Sequence, residues 1–592
     1  MASPHITSTV PNLSRESFQA LAAQAAANLR TSSSPPTTLA IPISLRLLAD
    51  QLTPVLAYRR LVVGDEREAP SFLLESVEGG ERQGRYSILG AQPIAEVLAH
   101  ADKTELRFPP SRGEGRGGAG KAAAAAPSLF DSAPIENRKS EVENPFDALR
   151  ELTHDIRLID APSLPRCVLA GWFGYAGYDT VRYTEPQKLP FHSAPRDDRA
   201  LPDLHFGFYD GVVVFDHVDK LVHLVQIAFI GPGADPAQAY DAATAKLDAR
   251  LTQLQTHSKP LPSGLIPQDL PNLPLQSNLT RRQHADMVAK AKDYIAAGDI
   301  FQVVLGQRFE RQSTADPFDV YRALRTVNPS PYMVYMQAQG CILVASSPEI
   351  LCRVERSPSA HAEGVAESSR PGVARALRSS ASFRITNRPL AGTRRRGSTL
   401  AEDQALERDL LADPKERAEH IMLVDLGRND VGQVAIPGTI ETPRLMEIER
   451  YSHVMHISST VIGTLRPGLT CWDALRATLP VGTISGAPKI RAMQIIDELE
   501  PIRRGPYGGG MGYVGLDGQM DIALTLRTMV VPTALHTGQT WTYHLQASGG
   551  IVADSDPAAE FQETVNKAAA LARAISVAEA AFTPAGNSQN SP

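Results

Sequence analysis

In ADPKERAEHIMLVDLGRND, residues 412–430, Glu416 and Glu419 stand three apart just ahead of an apolar run. Asp413 is a capping residue type and Pro414 suits a first helical position, so a helix starts here with both carboxylates on one face. The segment DPAAEFQETVNKA repeats the arrangement: Asp556 caps, Pro557 follows, and Glu560 and Glu563 share a face. Two helices with E-x-x-E near their N-termini could converge on one cation. Hard divalent ions take oxygen ligands, and Mg2+ is typically held by one or two carboxylates plus water and substrate. The competing reading is a pair of solvated faces, because Lys415–Glu419 and Glu563–Lys567 are both spaced for i,i+4 ion pairs. The apolar IMLVDL after His420 tips the balance toward a cleft rim, since that helix is heading into a core.

Other stretches carry weaker signals. GTISGAPKIRAMQ, from Gly482, is a Gly-rich turn entering a helix, where free backbone N–H groups suit a carboxylate or phosphate. It lacks the G-K-[ST] of a Walker loop. GMGYVG, residues 510–515, matches G-x-G-x-x-G, but no strand precedes it and no helix follows, so a dinucleotide site is rejected. Asp517–Gly518 reads instead as a hairpin turn. In the strand expected after it, Arg527 falls on the more polar face, as a surface ion pair or as a fork for a carboxylate. His456, in VMHISS, is either a satisfied structural histidine or an acid–base group. G-x-S-x-G is absent, so nothing points to amide hydrolysis by this chain itself.

These segments need a large scaffold to position them. The chain has 592 residues, 43% of them hydrophobic, enough for two or three domains around a sizeable core. A formal net charge of −6 excludes the basic footprint of a nucleic-acid binder. Cys167, Cys341, Cys352 and Cys471 show no paired spacing, which fits a reducing compartment and neither a disulfide framework nor a zinc site. No apolar run has the length of a membrane helix, and the N-terminus lacks the pattern of a secretory signal. The expected location is cytoplasmic, with a plastid as the alternative.

Residues 1–45 read as a flexible segment containing one Ala-rich stretch, FQALAAQAAANL. A first domain covers 46–258, with a low-complexity insertion at about 100–145. A Pro-rich linker spans 259–278, and a second domain 279–575 carries a Ser/Arg-rich insertion at about 355–384. Residues 576–592 read as a disordered tail. Strand-like and helical runs alternate irregularly with hairpin turns, which indicates α+β with large antiparallel sheets.

The segments FLLESVEGGERQGRYSILG, AGDIFQVVLGQR, NPSPYM, ASSPEIL, PLAGTRRRG, KERAEHIMLVDLGRND, VMHISS, GTISGAPK, GPYGGGMGYV, MDIALTLRT and SGGIVADSDPAAEFQET follow one another in this order. Together they resemble the large, chorismate-converting component of anthranilate synthase, over about 45–100 and 145–575. The resemblance implies the chorismate-utilising fold, two large, mainly antiparallel sheets packed as a sandwich with helices outside. It implies a lyase that takes chorismate and ammonia to anthranilate and pyruvate, the first committed step toward L-tryptophan. Mg2+ would be the cofactor, held by Glu419 and Glu563 with Glu416 and Glu560 in support. Arg527 and Tyr507 would grip the enolpyruvyl carboxylate, and Gly392, Thr393, Ser548, Gly549 and Gly550 would line the substrate site. Glu349 would be the general acid for departure of the C4 hydroxyl, and His456 and Thr483 would serve the loss of pyruvate.

The first domain would be regulatory. Leu74, Glu75 and Ser76, with Asn328, Pro329, Ser330, Pro331, Tyr332 and Met333, match the feedback site for tryptophan. A separate glutamine amidotransferase subunit would supply ammonia, in an assembly of two large and two small subunits. No nucleic-acid or membrane partner is expected. Relatives on the same scaffold differ at two positions. Isochorismate and salicylate synthases place a water-activating lysine where this chain has Gln302. Aminodeoxychorismate synthase has a lysine where this chain has Ala391. That enzyme, and a non-catalytic regulator binding tryptophan or chorismate, are the rival readings.

Overall fold

The computed structural model describes residues 11–29, 38–48, 50–62, 70–78, 82–101, 103–108, 144–256, 263–266, 270, 275–357, 382–451 and 454–582. Among them, two large sheets of 13 and 11 strands dominate. The first orders, in space, Gln276–Ser277, Gln302–Ser313, Trp541–Ile551, Thr528–Pro532, Cys341–Ser347, Tyr332–Ala338, Ser71–Glu75, Tyr86–Ala91, Val213–Asp216, Leu221–Ile230, Thr38–Leu47 and Ile156–Leu158. The second runs from Leu390–Arg395 and Val454–Thr464 through Ile350–Arg356, Met520–Leu524 and Gly510–Gly515 to Gly171–Ala176 and Leu204–Tyr209. Pairing is antiparallel apart from Thr38–Leu47 beside Ile156–Leu158.

Buried residues of both sheets interdigitate between the layers: Phe72, Val334 and Leu343 from one meet Phe173, Tyr209 and Met511 from the other. Phe72 and Phe173 stack at 4.0 Å, an arrangement that adds to the burial of their large apolar areas. Helices cover the outer faces. Phe18, Tyr58, Leu247, Phe318 and Leu571 close one side, and Phe146, Trp472, Val424 and Val431 the other. The expected α+β sandwich is therefore the fold.

Several expected boundaries change. Both sheets contain strands from either side of the Pro-rich stretch: Met333 pairs with Glu75, and Gly512 with Gly174. The ranges 46–258 and 279–575 therefore share their sheets and core. The first 45 residues hold a helix, Arg15–Leu29, and most of the strand Thr38–Leu47. Phe18 is fully buried, with its ring 5.3 Å from that of Tyr240. The strand Thr38–Leu47 carries a proline, Pro42. It lies beyond the three-residue contact with Ile156–Leu158, on an edge where a missing N–H costs no ladder bond. The stretch 259–278 ends in a short strand, Gln276–Ser277. The last helix, Pro557–Phe582, continues seven residues into the segment read as tail.

Of the expected insertions, 109–143 and 358–381 lie outside the described residues. Lys103–Arg107, placed in the first insertion, is a sheet strand paired with Ala95–His100. The second leaves from a hairpin: Arg356 faces Phe383, and Ser357 N–H donates to Ser382 O at 2.8 Å. Its two ends are therefore joined by the sheet.

Candidate active site

The two acidic helices form as the sequence indicates. The Asp413 carboxylate accepts from the N–H groups of Lys415 and Glu416, and Pro414 opens the helix Pro414–Gly432. His420, Leu423, Val424, Gly427 and Val431 recur at three- and four-residue spacing on its buried face. Each large apolar side chain there is worth roughly 1.5–3 kcal/mol. Glu416 and Glu419 occupy the first two turns, at the end away from that core. In the last helix, the Asp556 carboxylate accepts from Ala559 N–H at 2.9 Å, and Glu560 is buried while Glu563 is not.

Glu349 sits at the start of the strand Ile350–Arg356 and is 4% exposed. Thr483, in the tight turn Gly482–Ile484, donates from Oγ1 to Glu349 Oε1 at 2.9 Å. Burial pushes the Glu349 carboxyl up to about 8, against the lowering effect of Thr483 and the Leu390 backbone. It is therefore largely protonated at neutral pH, as a proton donor must be.

His456 lies on the strand Val454–Thr464 with Nδ1 3.0 Å from Gly392 O and 3.1 Å from Thr393 Oγ1. A carbonyl only accepts, so Nδ1 carries the proton and Nε2 is left as an acceptor. Burial lowers this imidazole to about 4 and keeps it neutral. Gly392 adopts φ 73°, and a Cβ there would stand 3.1 Å from Glu416 Oε2, so both backbone and space call for glycine.

Tyr507 OH and Ser548 Oγ are 2.6 Å apart and buried. Arg527 departs from its expected place. The strand Met520–Leu524 stops before it, and Arg527 takes φ 46° in the connection to Thr528–Pro532, where strand alternation does not apply. It is a left-handed residue between two strands, with its backbone held by Ser346 N–H donating to Arg527 O at 3.0 Å. Burial lowers its guanidinium, Tyr507 partly offsets this, and no carboxylate pairs with it among the described residues. A half-buried cation without a counter-ion is costly unless an anion joins it.

The four glutamates come close enough to interact. Burial pushes Glu419 up to about 7, with Glu416, Glu560 and Glu563 adding repulsion against relief from Lys415. A Cβ on Gly549 would stand 2.9 Å from Glu560 Oε2 and 3.9 Å from Glu563 Oε1. However, they do not converge as a ready ligand set: among the described residues no three such groups are arranged to hold a metal. Lysine and arginine partners divide them. Arg394 takes Glu416 at 3.2 Å, Lys415 lies 4.0 Å from Glu419, and Lys567 takes Glu563 at 2.6 Å. Glu560 Oε2 is buried with no hydrogen-bond partner. An orphaned carboxylate oxygen amid mutually repelling carboxylates fits a hard divalent cation in donor chemistry.

Sequence reading missed Arg394, since nothing in TRRRG distinguishes which arginine reaches Glu416. Lys567 was read only as a partner of Glu563, yet it also donates to Ser548 O at 2.8 Å.

The second expected group also assembles. Glu75 pairs in register with Met333, and Val77 N–H donates to Ser330 O at 3.1 Å. Ser76 thus lies beside Pro331 and Tyr332. Buried Glu75 accepts from Tyr321 OH at 2.7 Å and pairs with Arg325 at 2.9 Å. Asn328 Nδ2 donates to Ser346 Oγ at 3.0 Å, and Tyr332 OH donates to Asp521 Oδ1 at 2.8 Å. The contacts of Glu75 and Val77 span the seam between the two halves of the chain, while those of Asn328 and Tyr332 lie within the second half.

With this geometry in place, four likenesses bear on it. A family model described as chorismate binding enzyme matches residues 70–368 and 374–573. The chain is 48% identical over 560 residues to anthranilate synthase alpha subunit 1, chloroplastic, of Oryza sativa subsp. indica, covering 92% of this chain and 89% of that protein. It is 41% identical over 548 residues to anthranilate synthase component 1 of Pseudomonas putida, covering 91% and 96%. The crystal structure of anthranilate synthase component I from Streptococcus pneumoniae TIGR4 matches with a TM-score of 0.61 at 32% identity, over 89% of this chain and 99% of that one.

Proposed function

The chain belongs to the family of chorismate binding enzymes, and from that membership we propose that it is the large component of an anthranilate synthase, converting chorismate and ammonia to anthranilate and pyruvate. The observation that carries the reading is that the chain holds both Glu349, buried and protonated under Thr483, and a guanidinium at Arg527 with no protein counter-ion among the described residues. One is a proton donor for a leaving hydroxyl, and the other a binding group for an anionic substrate.

The residues divide the work as follows. Arg527 and Tyr507 hold the enolpyruvyl carboxylate, and the backbone at Gly392, Thr393 and Ser548–Gly550 shapes the remaining walls. Ammonia attacks C2 as the ring double bonds shift and the C4 hydroxyl departs. Glu349 gives that oxygen its proton, so that water leaves. In the second step the C2 proton is lost, the C–O bond to the enolpyruvyl group breaks, and that group takes a proton to become pyruvate. His456 Nε2 is the acceptor for the C2 proton, and Thr483 keeps Glu349 aligned. Glu419 and Glu563 would hold Mg2+, with Glu416 and Glu560 in support; the ion, when bound, would neutralise a substrate carboxylate.

We assign ammonia supply to a separate glutamine amidotransferase subunit, in an assembly of two large and two small chains. The group around Glu75, Ser76, Asn328, Pro331, Tyr332 and Met333 is assigned to feedback by tryptophan. It bridges the seam between the halves, where a ligand can favour one arrangement over another. The free cysteines, three of them buried, suit a reducing compartment, cytoplasm or plastid. No helix among the described residues is long and apolar enough to cross a membrane.

The test is appearance of anthranilate fluorescence from chorismate, ammonium and Mg2+. Aminodeoxychorismate as the product would move the assignment to that rival, against the small Ala391. Silence with all three reagents present would leave a binding regulator.

A further inference from the structure

Arg504 is 2% exposed, and all its bonds go to the protein. Its Nε donates to Glu500 Oε2 at 2.9 Å and its Nη2 to Glu500 Oε1 at 2.5 Å. The same fork reaches two backbone carbonyls, Ile484 O through Nη1 and Val304 O through Nη2, each at 2.7 Å. Glu500 Oε1 also accepts from Gly306 N–H at 2.8 Å. The guanidinium lies 4.6 Å over the Tyr178 ring and 6.0 Å from that of Tyr507. Ile484 adjoins Thr483. Val304 and Gly306 lie opposite Gly550 and Ser548 in the first sheet. Backbone bonds already join this turn to the strand that backs the substrate-lining glycines, Val304 N–H to Ser485 O and Gly486 beside Val303, and one cation adds the tie at Ile484, the residue next to Thr483.

We infer that Arg504 is a positioning residue of the reaction, whose guanidinium, neutralised by Glu500, holds the Thr483 turn in place so that the Thr483 hydroxyl stays on Glu349. This rests on the reading of Glu349 as the proton donor. The fork geometry is essential. A guanidinium presents five N–H groups in a fixed plane, whereas an ammonium presents a point charge on a flexible stem. Lysine at 504 would still balance the buried Glu500 but could not span Ile484 O, Val304 O and both Glu500 oxygens. The turn would keep its backbone ties, Val304 N–H donating to Ser485 O and Gly486 paired with Val303, but would lose its anchor at Ile484 O, and Thr483 would shift on Glu349. Thr483 favours the ionised carboxylate, so its loss leaves Glu349 protonated to higher pH and makes it a weaker acid.

The experiment measures kcat against pH for ammonia-dependent anthranilate formation at fixed free ammonia, in wild type, Arg504→Lys, Thr483→Val and the double variant. Arg504→Lys is expected to lower the plateau and move the basic limb up by about half to one pH unit, with Thr483→Val moving it the same way. The double variant is expected to match Thr483→Val alone, because both changes remove one hydrogen bond. A limb left at its wild-type position in Arg504→Lys, with only a lower Tm, overturns the inference and makes the residue structural. So do additive shifts in the double variant. If Arg504→Lys does not fold, the uncharged pair Arg504→Gln with Glu500→Gln, which leaves no unbalanced buried charge, replaces it under the same criteria. Full activity in Glu349→Gln would instead overturn the proton-donor reading itself.

Discussion

Replacing Glu349 with Gln separates catalysis from stability in one variant. The amide keeps the size of the carboxyl and an oxygen to accept from Thr483, but has no proton to give. Anthranilate formation should fall roughly a hundred- to ten-thousand-fold in kcat, the usual worth of a general acid. Stability should move the other way. The buried Glu349 holds its proton up to about pH 8, whereas its ordinary value is 4.5. Between those values the folded chain keeps a proton that the unfolded chain releases. The contribution of the group is complete below pH 4.5 and is lost as pH rises toward 8. Each pH unit inside the window corresponds to about 1.4 kcal/mol. The wild-type carboxyl therefore costs about 3 kcal/mol at neutral pH and about 5 kcal/mol above the window, relative to a side chain that never ionises. Urea unfolding of both chains at pH 5, 6, 7 and 8 measures this directly. The variant should gain on wild type at each step and level off past pH 8. A gap that stays flat across the series would refute the claim that burial holds this carboxyl neutral, even if activity were lost.

Arg527→Met should reduce kcat/KM for chorismate about ten- to a hundredfold, the worth of a charge-assisted hydrogen bond, without loss of stability, since the guanidinium has no protein counter-ion; an unchanged KM in steady-state kinetics would contradict its carboxylate-binding role. Glu560→Gln should weaken Mg2+ binding by about tenfold or more in titration calorimetry, yet leave metal-free stability intact because its Oε2 has no partner to lose; equal affinity would remove Glu560 from the metal site. Ser76→Phe should relieve inhibition by tryptophan while keeping kcat. Space beside Ser76 is so limited that a Cβ on neighbouring Gly84 would lie 2.7 Å from it. An unaltered inhibition curve would dissociate this strand from feedback.

Local chemistry was legible in the sequence because it depends on near neighbours. Asp413–Pro414 and Asp556–Pro557 announced both helix starts, and three-residue spacing put each glutamate pair on one face. Asp517–Gly518 announced the hairpin, with Gly518 at φ 80°. The long ordered series of motifs carried the family, and with it the sandwich. Three features were decided only by the tertiary structure. Arg527 lies in a break between two strands, at φ 46°, which alternation over a short window does not reveal. Glu416 is claimed by Arg394, a partner 22 residues away that spacing did not single out, whereas the i,i+4 pairs of Glu419 with Lys415 and Glu563 with Lys567 were already legible. Arg504 joins Val304, Ile484 and Glu500 across a separation of up to 200 residues. Caps and turns are set by bonds within a few residues, whereas burial, ion pairing and the protonation of Glu349 depend on which distant strands and helices come to exclude water around them.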